Sequence, residues 1–214
     1  MAIAVLFASA GALAQTTATG PPSPVTTTPP AADDNPWSFS AAVYNYIVPD
    51  GGSYVQPTVT ADRDWLHLEA RYNYEALDTG SAWVGYNFGG GEKLAWEFTP
   101  MLAGVFGKVA GVAPGYKGSL SWWKLGLYSE GEHVFDTGDS PNSFSYTWSE
   151  LTLAPVESFR FGLVTQRTYA DQSGRDIQDG ALVGFSYRKV DVTAYLFNPG
   201  DDEPTFVIAV GVRF

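Results

Sequence analysis

From Trp37 to Phe214 the apolar residues recur at every second position, in short runs separated by clusters of Gly, Pro, Asn and Asp. Successive side chains of a strand point to opposite faces, so this period predicts a strand-turn-strand array and excludes a bundle of amphipathic helices. In DWLHLEARYNYE the spacing puts Leu66, Leu68, Ala70, Tyr72 and Tyr74 on one face and His67, Glu69, Arg71 and Asn73 on the other. In SAWVGYNF, Ala82, Val84, Tyr86 and Phe88 oppose Trp83, Gly85 and Asn87; in VDVTAYLF, Val190, Val192, Ala194 and Leu196 oppose Asp191, Thr193 and Tyr195. One face is oily and the other is polar or ionic. About twelve runs read as strands, roughly 37–48, 54–61, 64–75, 81–88, 93–105, 109–121, 123–135, 143–153, 159–169, 177–188, 190–197 and 204–214. Ten is the alternative count, because the stretch from Gly107 to Trp123 holds Pro114 and several glycines that suit a bulge or one bent strand.

The absence of cysteine excludes a disulfide scaffold, a Cys-ligated zinc or iron–sulfur site and a redox thiol. With 23 Asp+Glu against 12 Lys+Arg the net charge is −11, which supplies no basic face for nucleic acid. Residues 1–14, MAIAVLFASAGALA, form an uncharged Ala-rich stretch that closes on Ala12-Leu13-Ala14, a small-x-small pattern expected of an export signal peptide. It is too short to span a bilayer as a helix. It opens without Lys or Arg, which points to a true start upstream of Met1. Residues 15–36 are Thr/Pro-rich with little to bury and are expected to be a flexible linker, leaving 37–214 as the folded domain.

Alternation alone fits a soluble sandwich, a secreted lipocalin-like binder or a membrane barrel; which side faces out decides among them. The polar face carries His67, Glu69, Arg71, Glu97, Lys124, Glu130, Arg160, Arg188, Asp191 and Arg213, a better lumen than exterior. Phe206 and Phe214 lie on the apolar face eight residues apart, about 19 Å along the normal of a ~45° tilted strand, close to the ~25 Å apolar band between aromatic girdles. The chain ends on VIAVGVRF, with Phe206, Ile208, Val210, Val212 and Phe214 in one phase. This ending resembles the C-terminal assembly strand of bacterial, Gram-negative type, outer-membrane β-barrel proteins, and the resemblance covers the architecture of 37–214 without a detailed family pattern. It implies localisation in the outer membrane after export through the secretory pathway. It also implies outer-membrane lipid as a partner and periplasmic chaperones and the barrel-assembly machinery as partners in biogenesis.

The expected fold is therefore all-β: a closed antiparallel up-and-down transmembrane β-barrel. Closure follows from the solvent, since hydrocarbon leaves no partner for an open strand edge, so the strand starting at Trp37 must pair with the one ending at Phe214. Pro57 and Pro100 cannot donate to a ladder and are each expected at a bulge or strand end. Short links alternate with longer acidic ones such as 136–142 and 198–203, giving the two rims different characters.

Catalysis finds little support in the residues. His67 has Glu69 and Arg71 as same-face neighbours but no serine at a suggestive spacing, and His133 lies on the apolar phase near a loop. The acidic clusters lack calcium-loop spacing, and Gly89-Gly90-Gly91 opens no helix, so neither a metal site nor a phosphate loop nor any other cofactor is expected. The function expected is a small porin-like channel for ions or small solutes with a mixed-charge lumen, acting as a monomer. The alternatives are a closed structural barrel and, third, a lipid-modifying barrel enzyme or a soluble secreted lipocalin-like binder.

Overall fold

A computed structural model describes residues 37–49, 52–138, 142–171 and 174–214. The expected signal peptide and linker lie outside the described residues, as do parts of three of the acidic loops. The chain forms β1 (Ser38–Ile47), β2 (Tyr54–Arg63), β3 (Leu66–Tyr72), β4 (Thr79–Tyr86), β5 (Phe88–Gly90), β6 (Leu94–Gly107) and β7 (Gly111–Trp122). It continues with β8 (Leu125–Asp136), β9 (Phe144–Val156), β10 (Phe159–Ala170), β11 (Gly174–Tyr187), β12 (Val190–Phe197) and β13 (Thr205–Arg213). Each strand pairs antiparallel with its neighbours in sequence; β1 pairs with β13, from Ser40 opposite Arg213 to Ile47 opposite Phe206, and closes the sheet.

The wall has twelve strands, because β5 prolongs β4. Both lie against β6 in one register, with Gly85 opposite Met101 and Phe88 opposite Phe98. The break falls opposite Pro100, which has no N–H to give. Asn87, beside the break, sends its backbone N–H to Trp65 O at 2.7 Å, while its side chain joins Asp62 and Thr99. Neither proline therefore ends its own strand, contrary to the sequence expectation. Pro100 lies inside β6 and interrupts its partner instead, and Pro57 lies inside β2, one residue before the pairing with β3 begins at Thr58. The stretch around Pro114 is a single strand, β7, whose ladder to β8 skips Ala113 and Pro114.

Followed around the wall, the registers return to β1 displaced by about fourteen residues; for twelve strands this shear corresponds to a tilt of roughly 40° and a backbone radius of roughly 11 Å. Five links on one rim are short. Three of them contain non-glycine residues in the left-handed region, Asp64, Trp123 and Arg188, as tight two-residue hairpins demand. Both ends of the barrel lie on this rim, where Phe214 N–H bonds Phe39 O at 2.9 Å.

The apolar phase points outward. Val43, Val59, Val84, Leu102, Leu163 and Val192 are all exposed, while the alternate positions Tyr44, Thr60, Trp83, Ala103, Val164 and Thr193 are buried. Aromatic rings mark both edges of this outer belt: Phe39, Trp65, Trp96, Trp122 and Phe214 on the short-turn side, and Phe106, Phe135, Tyr169 and Phe206 on the other. A sheet closed on itself, apolar outside and girdled by aromatics, satisfies its backbone internally and presents the surface that a bilayer requires.

Candidate functional site

The inward phase of β3 places His67, Glu69 and Arg71 at successive inward positions, and they form the centre of a buried ionic network. Glu69 receives Arg71 Nε at 2.5 Å and His67 Nε2 at 3.0 Å, and Lys117 reaches it from β7. His67 Nδ1 meets Asp62 Oδ1 at 2.7 Å, so as an imidazolium it donates to a carboxylate at each nitrogen. Arg71 crosses the lumen to Glu132 of β8 at 3.1 Å, and its guanidinium lies 4.0 Å from the ring centre of Tyr74 and 4.5 Å from that of Trp83. Trp83 has room there because β7 presents Gly115, where a Cβ would come within 2.9 Å of the indole. A guanidinium removed from water needs carboxylates and aromatic faces around it, and this one has both.

Around this network the lumen is filled with rings. Tyr44, Tyr46, Trp148, Tyr195 and Phe197 are almost wholly buried, at 0–2 % exposure. Trp148 packs edge-on to Tyr195 and Phe197 with centroids 5.2 and 5.4 Å apart, and Tyr44 approaches Tyr195 at 6.4 Å. Polar tips of this layer bind the inward carboxylates. Tyr195 donates to Glu150 at 3.0 Å, Trp148 to the same carboxylate at 2.9 Å, and Tyr128 to Glu130 at 2.8 Å. Glu130 also accepts from Tyr74.

Tyr74 departs from the period-two expectation that put it outside with Tyr72. The strand stops at Tyr72 and Asn73 takes a left-handed backbone with φ of 57°, which turns the next ring inward. Asn73 tolerates this conformation, and its side-chain oxygen accepts the N–H of Asp78 at 2.8 Å, closing a local turn.

Of the residues expected to line the lumen, His67, Glu69, Arg71, Glu130, Arg160 and Asp191 are inward and at least partly buried. Arg160 forms a two-pronged pair with Asp191 at 2.6 and 2.8 Å, lying over Gly184, where a Cβ would come within 2.7 Å of the guanidinium carbon. Glu97 and Arg213 are in the inward phase but exposed at the short-turn rim. Lys124 is not in the wall. It sits in the β7–β8 turn and donates to Pro155 O at 2.8 Å, because the hairpin reverses at Trp123-Lys124 instead of continuing a strand. Lys117, Glu132 and Glu150 were missed, although each keeps the inward phase of its strand and parity would have found them. The inward tyrosines of YNY, Tyr44 and Tyr46, gave no such signal, since in a barrel of this kind aromatics are expected at the outer girdles.

The network leaves a vestibule of about 300 Å³ at the short-turn end, lined by Asp62, His67, Glu97, Lys117, Ser119 and Tyr128 among others. His67, Lys117 and Tyr128 form its inner end and are themselves nearly buried. Among the described residues no group of three or more candidate ligands is placed to hold a metal ion.

No family model and no curated protein matches the sequence. Among solved structures, a structure described as "KdgM porin" matches with a TM-score of 0.59 at 9% identity, over 82% of this chain and 99% of that one. The NanC porin structure matches with a TM-score of 0.55 at 12% identity, over 80% and 98%. These likenesses give the chain the fold of a Gram-negative outer-membrane β-barrel.

Proposed function

We propose that this outer-membrane barrel has a closed lumen in its resting state, with solute access limited to the vestibule on the short-turn side. The observation that supports this reading is the middle layer: Tyr44, Glu130, Trp148, Glu150 and Tyr195 come together from β1, β8, β9 and β12, and none is more than 2 % exposed. A twelve-stranded barrel is wide enough to conduct when its inward residues are short or line the wall. Here long rings and paired charges reach across it. In outer-membrane barrels the short turns are periplasmic, so the vestibule opens to the periplasm. The reading is non-enzymatic, since the inward histidine, His67, is held between two carboxylates.

A second reading, a narrow channel for ions or small solutes, is supported by the vestibule and by the porins whose fold the chain shares. Its gate would be the Glu69–Lys117 pair at the inner end of the vestibule. Planar-bilayer recording of refolded protein separates the two. The closed reading expects silence at high salt from the natural chain and discrete steps from a Tyr44→Ala/Trp148→Ala/Tyr195→Ala variant. Steps from the natural chain, with ion preference altered by Glu69→Lys, would establish the channel instead.

A further inference from the structure

Within the belt, and apart from Asn45 on β1, the outward face is apolar except over one region. On β8 the outward residues Ser129, Gly131 and His133 stand between Leu127 and Phe135; on β10 Thr165 and Arg167 stand between Leu163 and Tyr169. β9, between them, presents Ser145, Thr147 and Ser149 above Leu151, and β11 adds Asp179. Registers make these positions contiguous: Gly131 faces Thr147, Thr147 faces Arg167, and Thr165 faces Asp179. Because exposed apolar residues bracket the patch above and below, it lies within the belt and below the aromatic girdle, not at the rim.

Hydrocarbon offers nothing to such groups. Some are matched sideways, with His133 Nδ1 2.8 Å from Ser145 Oγ and the Ser129 and Ser149 hydroxyls 3.0 Å apart. Arg167 and Asp179 make no ion pair with any described residue, both side chains are exposed, and the Thr165 hydroxyl has no hydrogen-bond partner. Its centre, around Thr147 and Thr165, sits below the girdle at whose level lipid headgroups ride. It is also flat, since its centre is built of Ser, Thr and Gly, the residues that let membrane-embedded elements approach closely.

We propose that this face is the contact between two copies of the chain in the membrane. The patch is self-complementary about a two-fold axis along the membrane normal between β9 and β10. That axis sets β8 of one copy against β11 of the other and β9 against β10. His133 is in line, through Ser145 and Tyr169, with Arg175 on β11. The strand tilt raises each successive strand by ~3 Å, and Asp179 lies lower on β11 than Arg175, at about the height of His133. The axis therefore brings His133 against the partner's Asp179 and Arg167 between the partner's Ser145 and the partner's Thr147. Each copy contributes one cation and one anion, so the buried surface is charge-balanced. The proposal departs from the monomer expected from the sequence.

The chain lacks cysteine, so one introduced thiol reports proximity without background. Thr147→Cys, next to the axis, is expected to give a disulfide-linked dimer on mild oxidation in outer membranes, whereas Val84→Cys on the far wall gives none. Asp179→Arg in the Thr147→Cys background, which sets a cation against the partner's His133, should abolish the dimer band, and adding His133→Asp should restore it, a rescue that a misfolded barrel would not show. The proposal is overturned if folded Thr147→Cys protein stays monomeric while its thiol remains open to alkylation. It is equally overturned if the charge exchange has no effect on the dimer band, or if a tightly held lipid copurifies with a monomer and is lost in Arg167→Asp.

Discussion

At the scale of single residues the lumen is organised around Glu69, whose two oxygens take Arg71, His67 and Lys117. Removing one partner of a buried ionic set strands the others, at a cost of about 3–5 kcal/mol. Glu69→Gln is therefore expected to destabilise the refolded barrel by that order, read as a lower urea midpoint of tryptophan fluorescence. Replacing Glu69, Arg71, Lys117 and Glu132 together by apolar residues of similar size should cost far less, because each removed charge goes with its partners and His67 keeps Asp62. Which residues face inward was largely legible in the sequence, since parity alone placed His67, Glu69 and Arg71 together. Which of them touch was not. Lys117 and Glu132 meet this cluster across the lumen, from β7 and β8, and nothing in the neighbourhood of either residue in the chain announces that contact. Tyr74 shows where parity fails: one left-handed Asn73 turns the following ring from the lipid side to the lumen.

At the scale of the element, strand positions were readable and their ends were not. The run expected at 93–105 is β6, Leu94–Gly107, and the run expected at 123–135 is β8, Leu125–Asp136. The difference at the start of β8 matters, because Lys124 falls in the hairpin and leaves the lumen. A left-handed Trp123 allows the reversal there, and hydrophobic period carries no information about that. Proline was misread for a related reason. Its missing N–H breaks a ladder on whichever strand was to receive it, so Pro100 splits β4 from β5 while β6 continues. β13 has Phe206, Ile208 and Val210 exposed on the outward face, and Phe214 follows it as an exposed ring. Deleting Phe214 is expected to reduce assembly in cells while leaving refolding into detergent nearly unchanged, measured by the folded fraction on unheated gels from both sources. Equal loss in both would mean that Phe214 acts through stability and not through recognition.

At the scale of the whole molecule, closure and the apolar exterior act together. The chain should require detergent or lipid, and its unheated form should migrate differently from its boiled form, since a closed ladder of this size resists detergent until heated. Solubility of the folded chain without detergent would contradict the membrane-facing belt. The alternation along each strand, a local property, was enough to determine from sequence that the chain is all-β with an oily face and an ionic one, because side-chain direction in a strand depends only on position. It also predicted that the first and last strands must meet, because hydrocarbon tolerates no open edge. Only the tertiary structure decided how the interior is filled. The aromatic layer of Tyr44, Trp148 and Tyr195 is assembled from strands far apart in the chain, and whether rings fill a lumen depends on shear, radius and cross-lumen reach, quantities set by the closed wall as a whole.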